Sequence, residues 1–398
     1  MSCPVSHQAM PVERVDPLMP PPGYAQLLAE APVTKVLDLI GLQTWLVTRY
    51  ADVRAVLGDP RFSSDFVAPE LKGLREEEDF VKPFIRLDPP EHTRFRRALT
   101  GEFTVRQIRL LEPGIRQLVE DQLDQLEKAG KGADLVEHFA LPIPSLVICQ
   151  LLGVPYTDHD RFQSDSKLLL TRELAPEDRM RAANQLRDFM LELVHLKRRE
   201  PDAALMTRLI ERSAEMEQPF SDLELASIGM LLLVAGHETT ANMIALTTVA
   251  LLRQPEKIEA LRADPGKVDA YVEEALRLLT IVQHGVRRLA TEDIEVGGEV
   301  IREGEWVIAS LAAGNRDPGV YPEPDELDAD RKRVSHLSFG FGPHQCLGQQ
   351  LARVELQIAL AALFRRFPGL RVELPEGEEI PYKHDMLIYG VHSLPVAW

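Results

Sequence analysis

One cysteine, Cys346, lies in a glycine-bearing loop whose residue types suit metal ligation. The loop reads Phe339-Gly340-Phe341-Gly342-Pro343-His344-Gln345-Cys346-Leu347-Gly348, and apolar residues at helical spacing follow it. This pattern predicts a thiol at a helix N-terminus, where free N–H groups and the helix dipole stabilise the thiolate. Such a thiolate is a good axial ligand for haem iron. The alternative is a buried structural cysteine, which is the more common role of an isolated cysteine.

A short run of polar residues interrupts a long apolar helical pattern that extends from Leu223 to Leu252. At its centre is the sequence Ala235-Gly236-His237-Glu238-Thr239-Thr240. An acid and an alcohol inside an apolar helix are costly, and Gly costs about 1 kcal/mol there relative to Ala. The small residues would leave room for a small ligand, and the acid–alcohol pair beside them could supply protons to it. The alternative is a kinked core helix with a satisfied polar pair.

These motifs together resemble the cytochrome P450 family, over about Pro17 to Trp398. Several segments are most similar to soluble, actinobacterial class I members of the 105 family. The resemblance implies a mainly α fold with a smaller β-sheet region. It also implies a single triangular-prism-like domain over residues 1–398, with a long central helix over the haem and a flexible segment at residues 1–16.

The resemblance assigns the haem b site residue by residue. Cys346 is expected to ligate the iron, and Thr239 and Glu238 to deliver the protons that O–O bond cleavage requires. Two propionates need cations or donors, and the matching residues are His92, Arg96, Arg288 and His344. For each of these cations alone, a solvated surface charge is the alternative. The other expected cofactor-binding residues are Ala235, Gly236, Phe339, Gly340 and Gly348.

Two further sets of charged residues match the family. Glu274 and Arg277 form its Glu-x-x-Arg motif, which is expected to pair on one helix face and to lock the segment from Tyr321 to Arg331. Five arginines are expected to flank the cysteine side of the haem and to attract an acidic ferredoxin, or else to form a generic solvated face: Arg94, Arg97, Arg106, Arg109 and Arg353.

The resemblance also implies a mostly apolar substrate pocket. Its expected lining comes from residues 66–84, 168–174, 228–239, 281–286 and 386–388. The named candidates are Phe66, Arg86, Leu231, Leu232, Ile281, Val282 and Ile388. If the Arg86 guanidinium points into this pocket, the substrate carries a carboxylate.

Composition restricts the remaining possibilities. The 398 residues, 45% of them hydrophobic, are enough for a large core, and the net charge of −17 argues against a nucleic-acid-binding surface. Three cysteines give no disulfide framework and fit a reducing cytosol. The N-terminus has no apolar anchor segment, and the longest apolar run, Ile228 to Gly236, is too short to span a bilayer. A cytoplasmic enzyme is therefore expected.

Local patterns predict the elements that position these motifs. A strand is expected at Thr44 to Thr48, and helices at Ala51 to Leu57 and Glu91 to Leu99. Helices should dominate from Val105 to Leu279. A Gly-Gly hairpin is expected at Ile294 to Ile301, followed by its next strand from Glu305 to Ala309, and the tail from Met386 should be extended.

The resulting prediction is a haem-thiolate monooxygenase. It would hydroxylate a medium-sized apolar molecule (polyketide, macrolide, statin-like, terpenoid or xenobiotic) with O2 and two electrons from NAD(P)H, delivered through ferredoxin reductase and ferredoxin. Two alternatives stay open. One is a P450-fold enzyme with peroxide-driven or non-hydroxylating chemistry, and the other is a non-enzymatic haem-thiolate sensor or electron carrier.

Overall fold

The structure, a computed structural model, describes residues 8–66, 81–155, 159–332 and 334–398. The predicted irregular loop from Val67 to Lys82 lies outside these residues except at its last two positions. The described chain forms two compact units. The first contains the described residues up to Phe66 together with Ala270–Cys346, and the second contains the others. The prediction of a single domain stays a prediction.

α-Helices are the main secondary structure of the described residues. In chain order they are α1 (Gly23–Glu30), α2 (Tyr50–Gly58), α3 (Glu91–Thr100), α4 (Val105–Ala129), α5 (Pro142–Leu152), α6 (His159–Leu170), α7 (Pro176–Arg199), α8 (Leu205–Ala214), α9 (Asp222–Leu252), α10 (Pro255–Ala263), α11 (Val268–Leu279), α12 (Leu311–Gly314) and α13 (Gln349–Arg366). The described part of the chain has no helix both long and apolar enough to cross a membrane.

The strands are short. They are β1 (Val33–Leu37), β2 (Gln43–Val47), β3 (Phe62–Ser63), β4 (Ala133–Asp134), β5 (Val286–Ala290), β6 (Ile294–Val296), β7 (Glu299–Ile301), β8 (Trp306–Ala309), β9 (Arg371–Val372) and β10 (Pro395–Ala397). This mainly helical architecture with small sheets confirms the predicted fold class.

The first unit is built on a five-stranded sheet in the order β1-β2-β8-β5-β3. Its strands are rich in Val, Ile and Trp, which favour a pleated, half-buried surface. The apolar core against this sheet includes Val53 and Leu57 of α2 together with Leu337, which begins the chain segment leading to Cys346. The cysteine loop therefore starts from a residue anchored in the core.

The predicted hairpin is confirmed, but the pairing of its following strand is different. Gly297 and Gly298 make the turn between β6 and β7 with φ of 59° and 89°, values that favour glycine. β8 does not extend this hairpin, because it runs parallel to β2 and antiparallel to β5. The apolar content explains the difference, since three of the four residues of β8 are buried and two of the three in β7 are exposed.

The second unit is centred on α9, which packs against α5, α7 and α13. Its start is fixed by a capping box, in which the Ser221 hydroxyl accepts from Glu224 N and the Glu224 carboxylate accepts from Ser221 N. The helix is buried around most of its circumference and has no single apolar stripe, as expected for a helix inside a core. The predicted limits of this helix are confirmed to within one residue.

Both ends of the described chain lie against other elements. Met10 is buried and its N–H bonds to Leu37 O, whereas Val12 and Val15 are exposed. The flexible segment expected at residues 1–16 stays a prediction. At the other end, β10 pairs with β4 and β9, in agreement with the predicted extended tail.

Candidate active site

The first unit presents the Cys346 thiol on a tight loop. Residues 342–344 form one turn of 3₁₀ helix, and Cys346 N donates to Phe339 O at 2.8 Å, which closes the loop. Cys346 is exposed, in contrast to the buried Cys149. Gly348 is the N-cap of α13, two residues after the cysteine. The thiol is therefore presented at the surface of its unit, immediately before a helix start in the sequence.

Glycine is required in this loop for two different reasons. Gly340 and Gly342 have φ of 71° and 75°, in the left-handed region. A Cβ at Gly342 would lie 2.5 Å from Leu57 O, so this glycine also permits close packing on α2. A Cβ at Gly340 would meet no described atom within 4 Å, and the same holds at Gly348. The backbone at Gly340 and at Gly348 therefore faces open space.

A buried asparagine that the sequence analysis did not single out holds the start of the loop. Asn315 Oδ1 accepts from Leu337 N at 2.6 Å, and Nδ2 donates to the hydroxyls of Thr280 and Ser338 at 2.9 Å each. Ser338 in turn donates to Leu276 O of α11 at 2.6 Å. The loop is thus tied to α11 through side chains distant in sequence.

Glu274 and Arg277 form the buried pair that the motif suggested. Arg277 Nε and Nη2 donate to the two carboxylate oxygens at 3.0 and 2.9 Å, and Arg331 Nε donates to Glu274 Oε2 at 2.9 Å. Arg277 also donates to the carbonyls of Pro324 and Glu326, at 2.6 and 2.8 Å. Burial raises the pKa of Glu274, but the two arginines outweigh it and keep the pKa below its ordinary value.

The four residues expected to meet propionates are divided between the units. In the first unit, Arg288 is buried on β5 and His344 is half-buried at the end of the 3₁₀ turn. In the second unit, His92 and Arg96 lie one turn apart on α3, His92 buried and Arg96 half-buried. Each unit thus carries one arginine and one histidine of this set.

An open face interrupts the otherwise buried α9. Ala235 is exposed, and Leu231, Gly236 and Thr239 are half-buried, whereas Leu232 is buried. The Thr239 hydroxyl donates to Ala235 O at 2.7 Å, so its oxygen can still accept a hydrogen bond from another donor. The middle of the longest helix therefore has free space beside a hydroxyl acceptor.

Glu238 is buried beside this open face in an ion pair with Lys383. Lys383 Nζ donates to Glu238 Oε2 at 3.1 Å, and the two side chains are 7% and 5% exposed. Burial raises the pKa of Glu238, but Lys383, His237 and Lys167 outweigh it, and the pKa lies below its ordinary value. Glu238 is therefore a carboxylate at neutral pH.

A second buried carboxyl, Glu355 of α13, has the opposite character. Its partner is the Thr240 hydroxyl, and Oε2 has no hydrogen-bond partner among the described residues. Burial raises the pKa of Glu355 to about 8, with Thr240 lowering it by a smaller amount. Adjacent threonines of α9 thus bond to different groups, Thr239 to its own helix and Thr240 to a carboxyl that is mostly neutral at pH 7.

The predicted pocket residues occupy varied environments. Phe66 is buried, with its ring edge-on to Trp306 at a centroid distance of 4.8 Å. Ile281 is buried and Val282 packs against the core of the first unit. Arg86 ends a short 3₁₀ helix and is half-buried, as is Ile388.

The arginines proposed for partner docking differ in availability. Arg97, Arg106 and Arg109 are exposed. Arg94 is not an open surface cation, because it forms an ion pair with Glu224 and its guanidinium lies 4.5 Å from the centre of the Phe220 ring. Arg353 is half-buried and donates to Gln349 on its own helix.

In each unit, the candidate residues are of types that bind parts of a haem. A thiolate is an axial ligand of haem iron, and Arg and His donors suit propionates. The open space beside Gly340 and Gly348, and the exposed Ala235 in a helix interior, are the features expected where a flat prosthetic group approaches backbone.

Comparison with known proteins decides the family. The cytochrome P450 family model matches residues 36–396. The chain belongs to the cytochrome P450 family. Cytochrome P450-SU2 of Streptomyces griseolus is 49% identical to this P450 over 386 residues, 96% of this chain and 94% of the relative. Pentalenic acid synthase of Streptomyces avermitilis is 45% identical over 394 residues, 98% and 97% of the two chains.

Solved structures agree with the sequence relatives. The crystal structure of CYP105P1 in complex with filipin I matches this P450 with a TM-score of 0.92 and 41% identity, covering 99% of both chains. The resemblance to the 105 family is therefore confirmed, and so are the haem cofactor that the family implies and the class of enzyme, a P450 monooxygenase.

Lys383, Asn315 and Glu355 are site residues that sequence reasoning missed. Lys383 lies in a segment without periodicity, and Asn315 follows a four-residue helix. Neither carries a local motif. The one signal present was indirect, since a buried acid in α9 requires a cation from somewhere in the chain.

Proposed function

We propose that this P450 hydroxylates a medium-sized apolar small molecule, of the polyketide, macrolide, statin-like, terpenoid or xenobiotic classes, using O2. The observation that carries the proposal is the open face of α9, where apolar Leu231 and Ala235 flank the Thr239 hydroxyl next to the Glu238 carboxylate. The names of the relatives support the substrate classes, because one is a pentalenic acid synthase and another was crystallised with filipin I.

Cys346 is the proposed iron ligand, and haem, when bound, supplies the oxygen-activating chemistry. His92, Arg96, Arg288 and His344 would hold its propionates. The small and flat residues Ala235, Gly236, Phe339, Gly340 and Gly348 would leave room for the ring, and Glu274 with Arg277 would keep the first unit rigid.

Thr239 and Glu238 are the proposed proton-delivery residues. Because the Thr239 hydrogen is directed to Ala235 O, the hydroxyl oxygen can accept from a water and hold it in place. Glu238, ionised at neutral pH, can take a proton from solvent water and pass it to that ordered water.

Electrons would come one at a time from NAD(P)H through ferredoxin reductase and an acidic ferredoxin, and the enzyme would work in the cytoplasm. The docking surface would include Arg97, Arg106 and Arg109, next to the exposed apolar side chains of Val105 and Leu110. Reduction by ferredoxin should slow with rising salt, and Arg106→Glu/Arg109→Glu should slow it further at low salt. Arg181→Glu on α7 is the matched control, and equal slowing by this control would exclude the proposed surface.

The substrate carboxylate suggested by Arg86 also stays a proposal. An Arg86→Met variant should weaken the binding of acidic ligands more than of matched neutral ligands, as measured by the haem spin-state change. Equal effects on the two ligand sets would remove the carboxylate from the proposal.

The first test is the carbon monoxide difference spectrum of the reduced protein. A strongly red-shifted Soret band that Cys346→Ser abolishes supports the haem-thiolate assignment. A band typical of histidine- or thiol-ligated haem would overturn it. NAD(P)H-dependent product formation with a ferredoxin pair then separates monooxygenation from the peroxide-driven and sensor alternatives.

The second test concerns coupling. Thr239→Ala should consume NAD(P)H while releasing hydrogen peroxide instead of product. Thr248→Ala is the matched control, because Thr248 makes the same hydrogen bond to the residue four positions earlier on the same helix, with Ile244 O at 2.8 Å. Unchanged coupling in Thr239→Ala would overturn the proton-delivery role.

A further inference from the structure

Lys383, which bonds to the Glu238 carboxylate, is far from α9 in the sequence and follows the cysteine loop. The two residues are 145 positions apart, yet Nζ and Oε2 lie 3.1 Å apart in a buried setting. Buried ion pairs add little net stability, because desolvation of both charges offsets their attraction. What such a pair does fix is the ionisation and the direction of the acid.

A small hairpin in the C-terminal segment holds Lys383 in place. Lys383 N donates to Gly390 O at 2.8 Å, and Tyr382 and Val391 form a β-bridge. The hairpin lies against α9, because a Cβ on Gly390 would lie 2.0 Å from Oδ1 of Asn242, which is one turn after Glu238. The ammonium group is therefore presented to Glu238 by a backbone that lies directly against the helix.

The other charged groups near Glu238 cannot replace Lys383 as donor. His237 Nε2 lies 3.8 Å from Glu238 Oε1, beyond hydrogen-bond distance. Its Nδ1 lies 2.9 Å from Leu233 O, and since a carbonyl only accepts, the Nδ1–H is directed to that carbonyl and not to Glu238. Lys167, at the exposed end of α6, acts on Glu238 through its charge alone.

We propose that Lys383 is a positioning residue for proton delivery: it holds Glu238 as an oriented carboxylate, the form that can take up each proton from water. This inference rests on the proposed function of Glu238 and Thr239. Without the ammonium group, the described residues oppose burial only through the weaker influences of His237 and Lys167. The pKa of Glu238 would then rise, and the neutral carboxyl that becomes more populated cannot accept a proton.

The test compares Lys383→Met with Lys167→Met, the same chemical change at the exposed lysine. Infrared spectra of the ferric proteins should show the C=O stretch of a protonated carboxyl that is present in Lys383→Met and absent from both Lys167→Met and the Lys383→Met/Glu238→Gln double variant. Glu355 contributes equally to all these spectra and cancels in the differences. Lys383→Arg should restore the wild-type spectrum, since it returns the cation.

The second measurement is product formed per NAD(P)H consumed, followed between about pH 6 and pH 8, the range across neutrality. Coupling should stay flat with pH in the wild type and in Lys167→Met. In Lys383→Met it should rise several-fold with pH as Glu238 ionises. If Lys383→Met does not fold, Lys383→Gln makes the same removal of charge.

The inference is overturned if the infrared spectrum and the pH profile of Lys383→Met match those of the wild type. This failure is distinguishable from failure of the proposed function. If Glu238→Gln and Thr239→Ala remain fully coupled, proton delivery by these residues is wrong whatever Lys383 does. A thiolate-type carbon monoxide spectrum in every variant establishes that the haem site itself is intact.

Discussion

Asn315→Ala should loosen the start of the cysteine loop by removing the hydrogen bonds that hold it. Asn315 is fully buried in the first unit and makes three side-chain hydrogen bonds, one of them with Leu337 N at 2.6 Å. Alanine removes all three. It leaves the Leu337 N–H at the start of the loop without its acceptor, in a place where Leu337 is itself part of the core.

The expected loss can be worked from these contacts. The two bonds from Nδ2 to the hydroxyls of Thr280 and Ser338 contribute about 1 kcal/mol each, and an orphaned buried N–H costs about 1–3 kcal/mol. The sum is about 3–5 kcal/mol in the free energy of unfolding. A whole domain is stable by about 5–15 kcal/mol, so the variant should fold, but with a loop that opens far more often.

The assay has two readouts, the urea midpoint of unfolding and the fraction of haem that keeps the thiolate-type carbon monoxide spectrum in mild urea. Both should fall in Asn315→Ala. Both readouts should also fall in Asn315→Asp, because aspartate can still accept from Leu337 N but cannot donate to the two hydroxyls. Asn184→Ala, at a half-buried position in α7, is the control. An Asn315→Ala protein within about 0.5 kcal/mol of the wild type, with an unchanged spectrum, would refute the reasoning.

Three more predictions concern stability. Gly342→Ala should lower the urea midpoint well beyond Gly340→Ala, because both have positive φ but only Gly342 has Leu57 O at 2.5 Å from the added Cβ; equal losses would contradict this. The free energy of unfolding of Glu355→Gln should rise relative to the wild type as pH rises from about 4.5 to about 8. Over that range the unfolded wild-type carboxyl has lost a proton that the folded one retains, so the wild type loses stability. A pH-independent difference between the two proteins would contradict the raised pKa of Glu355. Glu102→Gln should lose stability at pH 7 but not at acid pH, because Arg208 and Arg212 outweigh burial and lower the Glu102 pKa; thermal unfolding at two pH values checks the sign, and an equal loss at both would contradict the pairing.

Local sequence predicted the elements that depend on local physics. The limits of α9 follow from its apolar run and its capping residues, and the β6–β7 turn follows from two glycines. The cysteine loop was recognisable because a thiol between glycines and a helix start is an unusual combination. The spacing of Glu274 and Arg277 suggested their pairing, since both lie on one face of α11.

Features that depend on pairing between distant segments could not be predicted. β8 has the composition of a strand, but nothing local indicates that its partners are β2 and β5. Arg94 was predicted to be a surface cation, because nothing near it in the sequence suggested that Glu224 and the Phe220 ring would enclose it. Lys383 and Asn315 were missed for the same reason, as each acts on a segment far away in the chain.

The two buried carboxyls beside neighbouring threonines of α9 show how far this limit extends into chemistry. Burial acts on both in the same direction, by disfavouring the charged form. Glu238 has a lysine within hydrogen-bond distance and stays ionised, whereas Glu355 has only a hydroxyl and keeps its proton to about pH 8. Removal of Lys383, the one distant cation, would turn Glu238 from a proton acceptor into a proton donor at the same position. The protonation state of a catalytic acid is therefore a property of the tertiary fold, even where its identity and position can be predicted from a six-residue motif.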